Sequence, residues 1–383
     1  VGERRLVVCF GSYDASLHPR VAVLRDGLAA TEDVVEINVP LGLSTADKID
    51  AATSVGGALR LAMAITRSWW GLWRLARARR LEPDLVVVGY LGHFDVHLAR
   101  LLWPRTPIAL DHLVGLADTS RDRGVAQGLK ARVLDLIDRA ALWRADIVIV
   151  DTEEQRSAID RRLAAKAVVV PVGATDEWFG HEAAPAVPPV TVCFVGLYTP
   201  LHGAPVIGSA ITALADDDRL RFTMIGTGQD LDATKAVVGA NPHVRWIDWV
   251  DSSELPSVVA SHHVTLGIFG TTPKALRVVP TKVYQGLAAG TVVITSDTPP
   301  QRRALGDAAR FVPPGDADAL AAELVAVADE LIAAGDAAAE GHRDAAERFR
   351  PASVVTPILA GLSMSLDARC RRGRRRRARA RST

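Results

Sequence analysis

Twelve short runs of β-branched and aliphatic residues, spaced by helix-length segments, constrain this chain more than any other feature. Six lie in the first half, at 5–10, 34–39, 84–90, 107–111, 145–150 and 167–173. Six more follow at 191–196, 221–226, 244–250, 264–270, 291–296 and 310–316. Runs that are apolar throughout, rather than alternating, belong to parallel sheets covered on both faces. Between the two sets, the proline-rich AAPAVPP at 183–189 reads as a linker. The expectation is an α/β chain with two Rossmann-like, doubly wound parallel-sheet domains facing a cleft. The first would span 1–182 and the second 190–349. A helix over 350–368 would change direction at Arg350-Pro351, because proline disfavours helix in the residue before it.

A length of 383 residues suits two such domains. No run is long and apolar enough for a membrane span, and RLVVCF leads directly into a strand pattern without a secretory signal, so a cytoplasmic location is the expectation. The three cysteines are too scattered for a metal site or a disulfide framework. Nine of the 45 basic side chains fall in residues 369–383, where there is no acid, so the rest of the chain is net acidic against its 44 Asp and Glu. That tail is expected to be disordered and solvated, with peripheral contact to an anionic membrane as the alternative and no nucleic-acid partner. Trp69, Trp70 and Trp73 sit in a basic helical stretch. Packing onto the sheet is the favoured reading, with a membrane surface as the second.

Fold rhythm alone does not name a ligand. A dinucleotide-binding enzyme would carry Gly-x-Gly-x-x-Gly after its first strand, whereas GSYDASLHPR follows here. Gly226 and Gly228 form a lone Gly-x-Gly after a later strand and are a weak signal.

Five segments, taken in order, are more specific: FVGLYTPLHG at 194–203, MIGTGQD at 224–230, ELPSVVASHHVTLGIFG at 254–270, VPTKVYQGLAAGTVVITSD at 279–297 and VPPGDADALA at 312–321. Together they resemble the glycosyltransferase family 4, group 1 type. The first half agrees less closely, through VVVGYLGHFDVHLAR at 86–100, the run at 109–123 and VVVPVGATDEWF at 168–179. The resemblance implies a GT-B fold and transfer of a sugar from a nucleoside diphosphate sugar, used as co-substrate with no further cofactor, to a saccharide or lipid-linked acceptor. It also implies retention of anomeric configuration. The donor site would gather Gly196, Tyr198, His202, Gly203, Gly226, Gly228, Phe269, Lys274, Pro280, Thr281, Lys282 and Gln285. Pro280-Thr281-Lys282 has independent physical support, since a helix start with free N–H groups and an ammonium in its first turn suits a phosphate.

Some positions depart from the family pattern. Arg277 and Gln285 stand where it has two glutamates, and Leu197 and His202 stand where an arginine and a lysine would neutralise pyrophosphate. Lys282 is therefore expected to carry most of the diphosphate charge, helped by Lys274 or Arg277. On the acceptor side, His93 or Asp111 is expected to orient the hydroxyl, with Gly11, Tyr13, His18, Asp118 and Arg121 around it and His112 and Arg123 nearby. No Asp-x-Asp signature stands at a strand end, and Asp216–Asp218 reads as a solvated turn, so metal independence is expected. A nucleotide-sugar epimerase and a non-catalytic nucleotide-sugar-binding protein remain the alternatives.

Overall fold

The computed structural model describes residues 4–15, 18–42, 55–113, 115–122, 124, 128–182, 184, 188–334 and 344–363. Arg123, most of the expected linker and the arginine-rich tail lie outside them. The chain divides into two compact units, Val1–Val170 with Val354–Thr383, and Pro171–Ser353. The first boundary falls earlier than residue 182, because the segment after Val170 packs within the second unit: Ala174 N donates to Phe349 O, and Arg350 pairs with Asp176.

All twelve expected strands are present. In the first unit they are β1 Leu6–Gly11, β2 Asp33–Asn38, β3 Leu85–Val88, β4 Ile108–Asp111, β5 Ile147–Val150 and β6 Ala167–Val169, arranged in the order β2-β1-β3-β4-β5-β6. Each pairing is parallel. Successive side chains point to opposite faces, so Val8 and Phe10 enter one core and Val7 and Cys9 the other. Helices Val55–Arg79, Asp95–Leu102 and Gly128–Arg144 cover the first face. Helix Pro19–Ala29 and the returning residues Val354, Val355, Ile358 and Leu362 cover the second. Pro351 opens the last helical stretch, as its fixed φ favours.

The second unit contains β7 Val190–Val195, β8 Leu220–Ile225, β9 Val244–Ile247, β10 Val264–Leu266, β11 Val292–Ser296 and β12 Arg310–Val312, in the order β12-β11-β10-β7-β8-β9. From β7 the chain first builds outward through β8 and β9, then crosses to β10 and builds the other way. The strand order thus reverses between β7 and β10, and such a switch point leaves a crevice at the strand carboxyl ends where ligands bind. In the first unit the corresponding reversal lies between β1 and β3.

Candidate functional site

At the switch point of the second unit, the loop after β7 and the loop after β10 lie backbone against backbone. Gly203 has φ 62°, and a Cβ there would stand 2.5 Å from Gly270 N and from the Phe269 carbonyl carbon. The neighbouring β8 loop is as close: side chains at Gly226 and Gly228 would run into the carbonyls of Gly196 and Leu197. These glycines let three strand-end loops converge, which gives Gly226 and Gly228 a packing role.

Lys282 projects into this convergence from helix Thr281–Ala288, whose N-cap is Pro280 and which no side chain caps. Lys282 is 8% exposed, its ammonium stands 3.9 Å from the centroid of the Phe194 ring, and its Nζ has no hydrogen-bond partner. A Cβ on residue 196 would lie 2.8 Å from that Nζ and 3.1 Å from His202 Cε1, so only glycine leaves room for the ammonium and imidazole together. Burial depresses the lysine pKa well below its ordinary value, with weak opposition from Cys193. Buried polar groups are normally satisfied, so an orphaned ammonium at a strand-end crevice is suited to an anionic ligand. His202 Nδ1 accepts from Thr199 N at 3.4 Å, which fixes its ring beside the lysine. Gln285, three residues on along the same helix, is half-buried, as is Thr281.

Two expected donor contacts turn inward instead. Tyr198 is fully buried with φ 44°, its ring edge-on to Phe194 at 5.3 Å, and burial raises its pKa. Its carbonyl accepts from Asp230 N, which ties the β7 loop to the β8 loop. Phe269 is fully buried in the main core; its N donates to His202 O and its carbonyl accepts from Gly315 N. Lys274 is half-buried ahead of the short turn Ala275–Arg277, and Arg277 Nε donates to Pro273 O.

In the first unit, His93 follows β3 and is buried. Its Nε2 lies 3.0 Å from Asp138 Oδ1, off the ideal hydrogen-bond line, and its Nδ1 has no partner. Asp138 comes from helix Gly128–Arg144, and its carboxylate also accepts from Leu116 N and Ala117 N, the free first-turn donors of helix Leu116–Asp122. Burial works to raise the Asp138 pKa, but His93 and these N–H groups outweigh it and leave the carboxyl below its usual range. The His112 ring stands edge-on to His93 at 5.4 Å, and burial, aided by His93, lowers His112 to about 4. Asp118 is half-buried on the same short helix, and its charge opposes that shift. A neutral ring with its proton on Nε2, facing Asp138, would leave Nδ1 a lone pair that can accept from a hydroxyl.

The other expected acceptor-side residues make contacts within the first unit. Asp111 pairs through one oxygen with Arg20 (Nε to Oδ1, 3.4 Å) inside the first unit, its Oδ2 is buried without a hydrogen-bond partner, and Arg20 donates again to Val170 O. Burial pushes the Asp111 pKa up and Arg20 opposes it. Tyr13 packs on Gly11 and Gly89, its hydroxyl donates to Glu36, and it is buried. Arg121 pairs with Asp135 at the surface, and His18 stacks on Tyr90 at 4.1 Å. Sequence reasoning missed Asp95, which accepts from Ser12 N, Ser12 Oγ and Trp69 Nε1 and ties the β1 loop to two helices. It missed Asp138 too, although an acid on the stripe of Ala131, Ala141 and Leu142 was a readable signal.

Residues 189–330 match the family model for glycosyl transferases group 1. A phosphatidyl-myo-inositol mannosyltransferase of Mycolicibacterium smegmatis is 31% identical over 147 residues, which is 36% of this chain and 36% of that protein. Among solved structures, sucrose-phosphate synthase from Thermosynechococcus elongatus superposes with a TM-score of 0.68 at 13% identity, covering 96% of this chain and 100% of the other. An E. coli trehalose-6-phosphate protein bound with UDP-2-fluoro glucose gives 0.64 at 15% identity, covering 94% and 98%. These structural likenesses establish a common GT-B fold, two Rossmann-like domains in one chain. The match to the glycosyl transferases group 1 model thus falls on the unit that holds Lys282.

Proposed function

We propose that this chain transfers a sugar from a nucleoside diphosphate sugar to an acceptor hydroxyl. The observation that carries the reading is the buried, unpartnered ammonium of Lys282 at the β7–β10 switch point, in the unit that matches the transferase family. In this reading the lysine, the N-terminus of helix Thr281–Ala288 and the loop N–H groups near Gly203 stabilise the leaving diphosphate. Gln285, one turn on, takes the ribose hydroxyls, and Lys274 lies at the margin. On the acceptor side, Nδ1 of His93 receives the hydrogen bond of the attacking hydroxyl.

The acceptor class we favour is lipid-linked, by analogy with the name of the mannosyltransferase relative. Retention of anomeric configuration and metal independence complete the proposal. In this reading the positive charge at the diphosphate is supplied by Lys282, whose ammonium has no hydrogen-bond partner of its own. Mass spectrometry of reactions with a panel of nucleotide sugars tests the reading. Nucleotide release that depends on an added acceptor supports transfer. An isomerised sugar formed from donor alone would instead establish an epimerase, and tight binding without turnover a non-catalytic binding protein.

A further inference from the structure

The outer surface of the first unit has a distribution of side chains that sugar transfer does not require. Helix Val55–Arg79 contains five arginines and no acidic residue. Its inward stripe, Ser68, Leu72 and Ala76, is buried, while Leu59, Met63, Trp70 and Trp73 point out, with Trp70 61% exposed. Trp70 and Trp73 stack on each other at 5.2 Å, and the Arg77 guanidinium lies 5.6 Å from the Trp73 ring. Arg60, Arg67 and Arg74 recur at every seventh residue on the flank of this outward stripe and are exposed.

The next two helices continue the surface. Helix Asp95–Leu102 packs against Val55–Arg79 on one side and Gly128–Arg144 on the other, and it presents Leu101 to solvent. Helix Gly128–Arg144 turns out Leu129, Val133, Leu136 and Trp143, the last two each 68% exposed. Among the described residues, every exposed large apolar side chain of the first unit lies on these three helices. Such concentration departs from the scattered exposure of an ordinary surface. At the carboxyl end of the first helix, a groove of about 950 Å³ is lined by Arg77, Arg80, Trp103 and Arg105 among others.

We infer that this three-helix face docks on the surface of an anionic lipid bilayer. Exposed tryptophan and leucine beside arginine is the composition of an interfacial helix, with rings at headgroup depth and guanidiniums on lipid phosphates. Charge selects this occupant over others. A second copy would oppose one arginine row to another, and the residues at 369–383 are themselves arginine-rich. No described helix is long and apolar enough to cross a membrane. The inner side of helix Gly128–Arg144 carries Asp138, which touches His93, and the outer side faces lipid, so a membrane-borne acceptor would be presented beside the site. This deepens the proposed acceptor class, but its test uses no substrate, so the two readings fail separately.

The experiment is co-sedimentation of the full chain with phosphatidylcholine vesicles, with and without phosphatidylglycerol, alongside tryptophan fluorescence. The expected result is binding and a blue shift with the anionic vesicles alone. Arg67→Gln with Arg74→Gln should weaken binding roughly thirtyfold. Trp70→Ser with Trp73→Ser should weaken it about tenfold or more and leave the melting temperature unchanged, since these rings are exposed. Equal binding to neutral vesicles, or unchanged binding by both double variants, would overturn the inference. So would binding lost only on deletion of residues 369–383, or a lipid-free dimer that Trp70→Ser with Trp73→Ser dissolves.

Discussion

Replacing Lys282 with methionine should make the empty protein more stable near neutral pH while weakening its hold on pyrophosphate. The ammonium is buried with no hydrogen-bond partner, and leaving such a donor unsatisfied costs about 1–3 kcal/mol. Its contact with the Phe194 ring offsets about 1–2 kcal/mol of that. Methionine keeps the apolar stem and removes the charge, so a gain of about 1 kcal/mol is expected, read as a rise of roughly 2–4 °C in melting temperature. The pH dependence follows from the direction of the pKa shift. Because the folded lysine titrates well below 10.5, the unfolded chain binds more protons between the two values, and stability rises with pH across that window. The penalty is therefore full below the folded pKa and vanishes above 10.5, so the advantage of methionine should shrink as pH rises. Bound pyrophosphate restores the lysine charge, so binding to the parent protein in that window should take up a proton, and affinity should fall as pH increases. Loss of charge-assisted bonds worth about 1.5–3 kcal/mol corresponds to a roughly ten- to hundredfold weaker complex. Scanning fluorimetry across pH and titration calorimetry in buffers of different ionisation enthalpy measure both halves. A methionine variant that melts lower than the parent and binds pyrophosphate equally well would refute the reasoning.

Gln285→Ala should weaken a nucleoside diphosphate and leave pyrophosphate affinity unchanged in calorimetry, because only the former carries a ribose. Gly203→Ala should destabilise the second unit by about 2 kcal/mol or more in urea, since the new Cβ meets Gly270 and Phe269 at a left-handed φ. Asp111→Asn should cost about 3–5 kcal/mol by removing the counter-charge of the buried Arg20; a stability within error of the parent would return Asp111 to the acceptor-site candidates. His112 is held neutral down to about 4 against an ordinary 6.5, so its contribution is complete above pH 6.5 and is lost as pH falls to 4. Up to about 3 kcal/mol should disappear in urea titrations over that interval, and His112→Gln should flatten the dependence.

The strands were legible because parallel sheets covered on both faces demand continuous apolar runs, and β3, LVVV, and β5, IVIV, are written that way. Lys282 was legible because proline before a helix and lysine in its first turn act locally. Tyr198 and Phe269 misled because their motif positions indicated the site while their side chains answer to the core. The left-handed backbone at Tyr198 accompanies the close approach of Gly228, a contact 30 residues away that no local pattern announces. The adjacent tryptophans were misread as one group. One helical residue turns the side chain by about 100°, which sends Trp69 to Asp95 and Trp70 to solvent. Asp138 acts only through its meeting with His93, so its chemistry waited for the tertiary structure.

The charged groups of the two units sort by what they lack. Arg20 and Asp111 compensate each other's charge through Oδ1, Arg20 has a backbone carbonyl as well, and Asp111 Oδ2 is buried without a hydrogen bond. Such a pair has little to offer a ligand, since binding would first have to break contacts that burial makes costly to lose. His93 has Asp138 3.0 Å from Nε2 but no well-formed hydrogen bond at either ring nitrogen, so it has a charged neighbour and is still able to bond. Lys282 has no hydrogen bond at all, and its aromatic contact cannot neutralise a charge. A cation lodged where the strand-end loops converge is stabilised by a bound anion, so folding tolerates at Lys282 what binding resolves. The sequence put Lys282 first on the donor side and offered Asp111 as one of two acceptor-side candidates. Counter-charge separates them, because Asp111 already faces a guanidinium while the ammonium of Lys282 has no ion pair, so its environment is the one an anionic ligand improves.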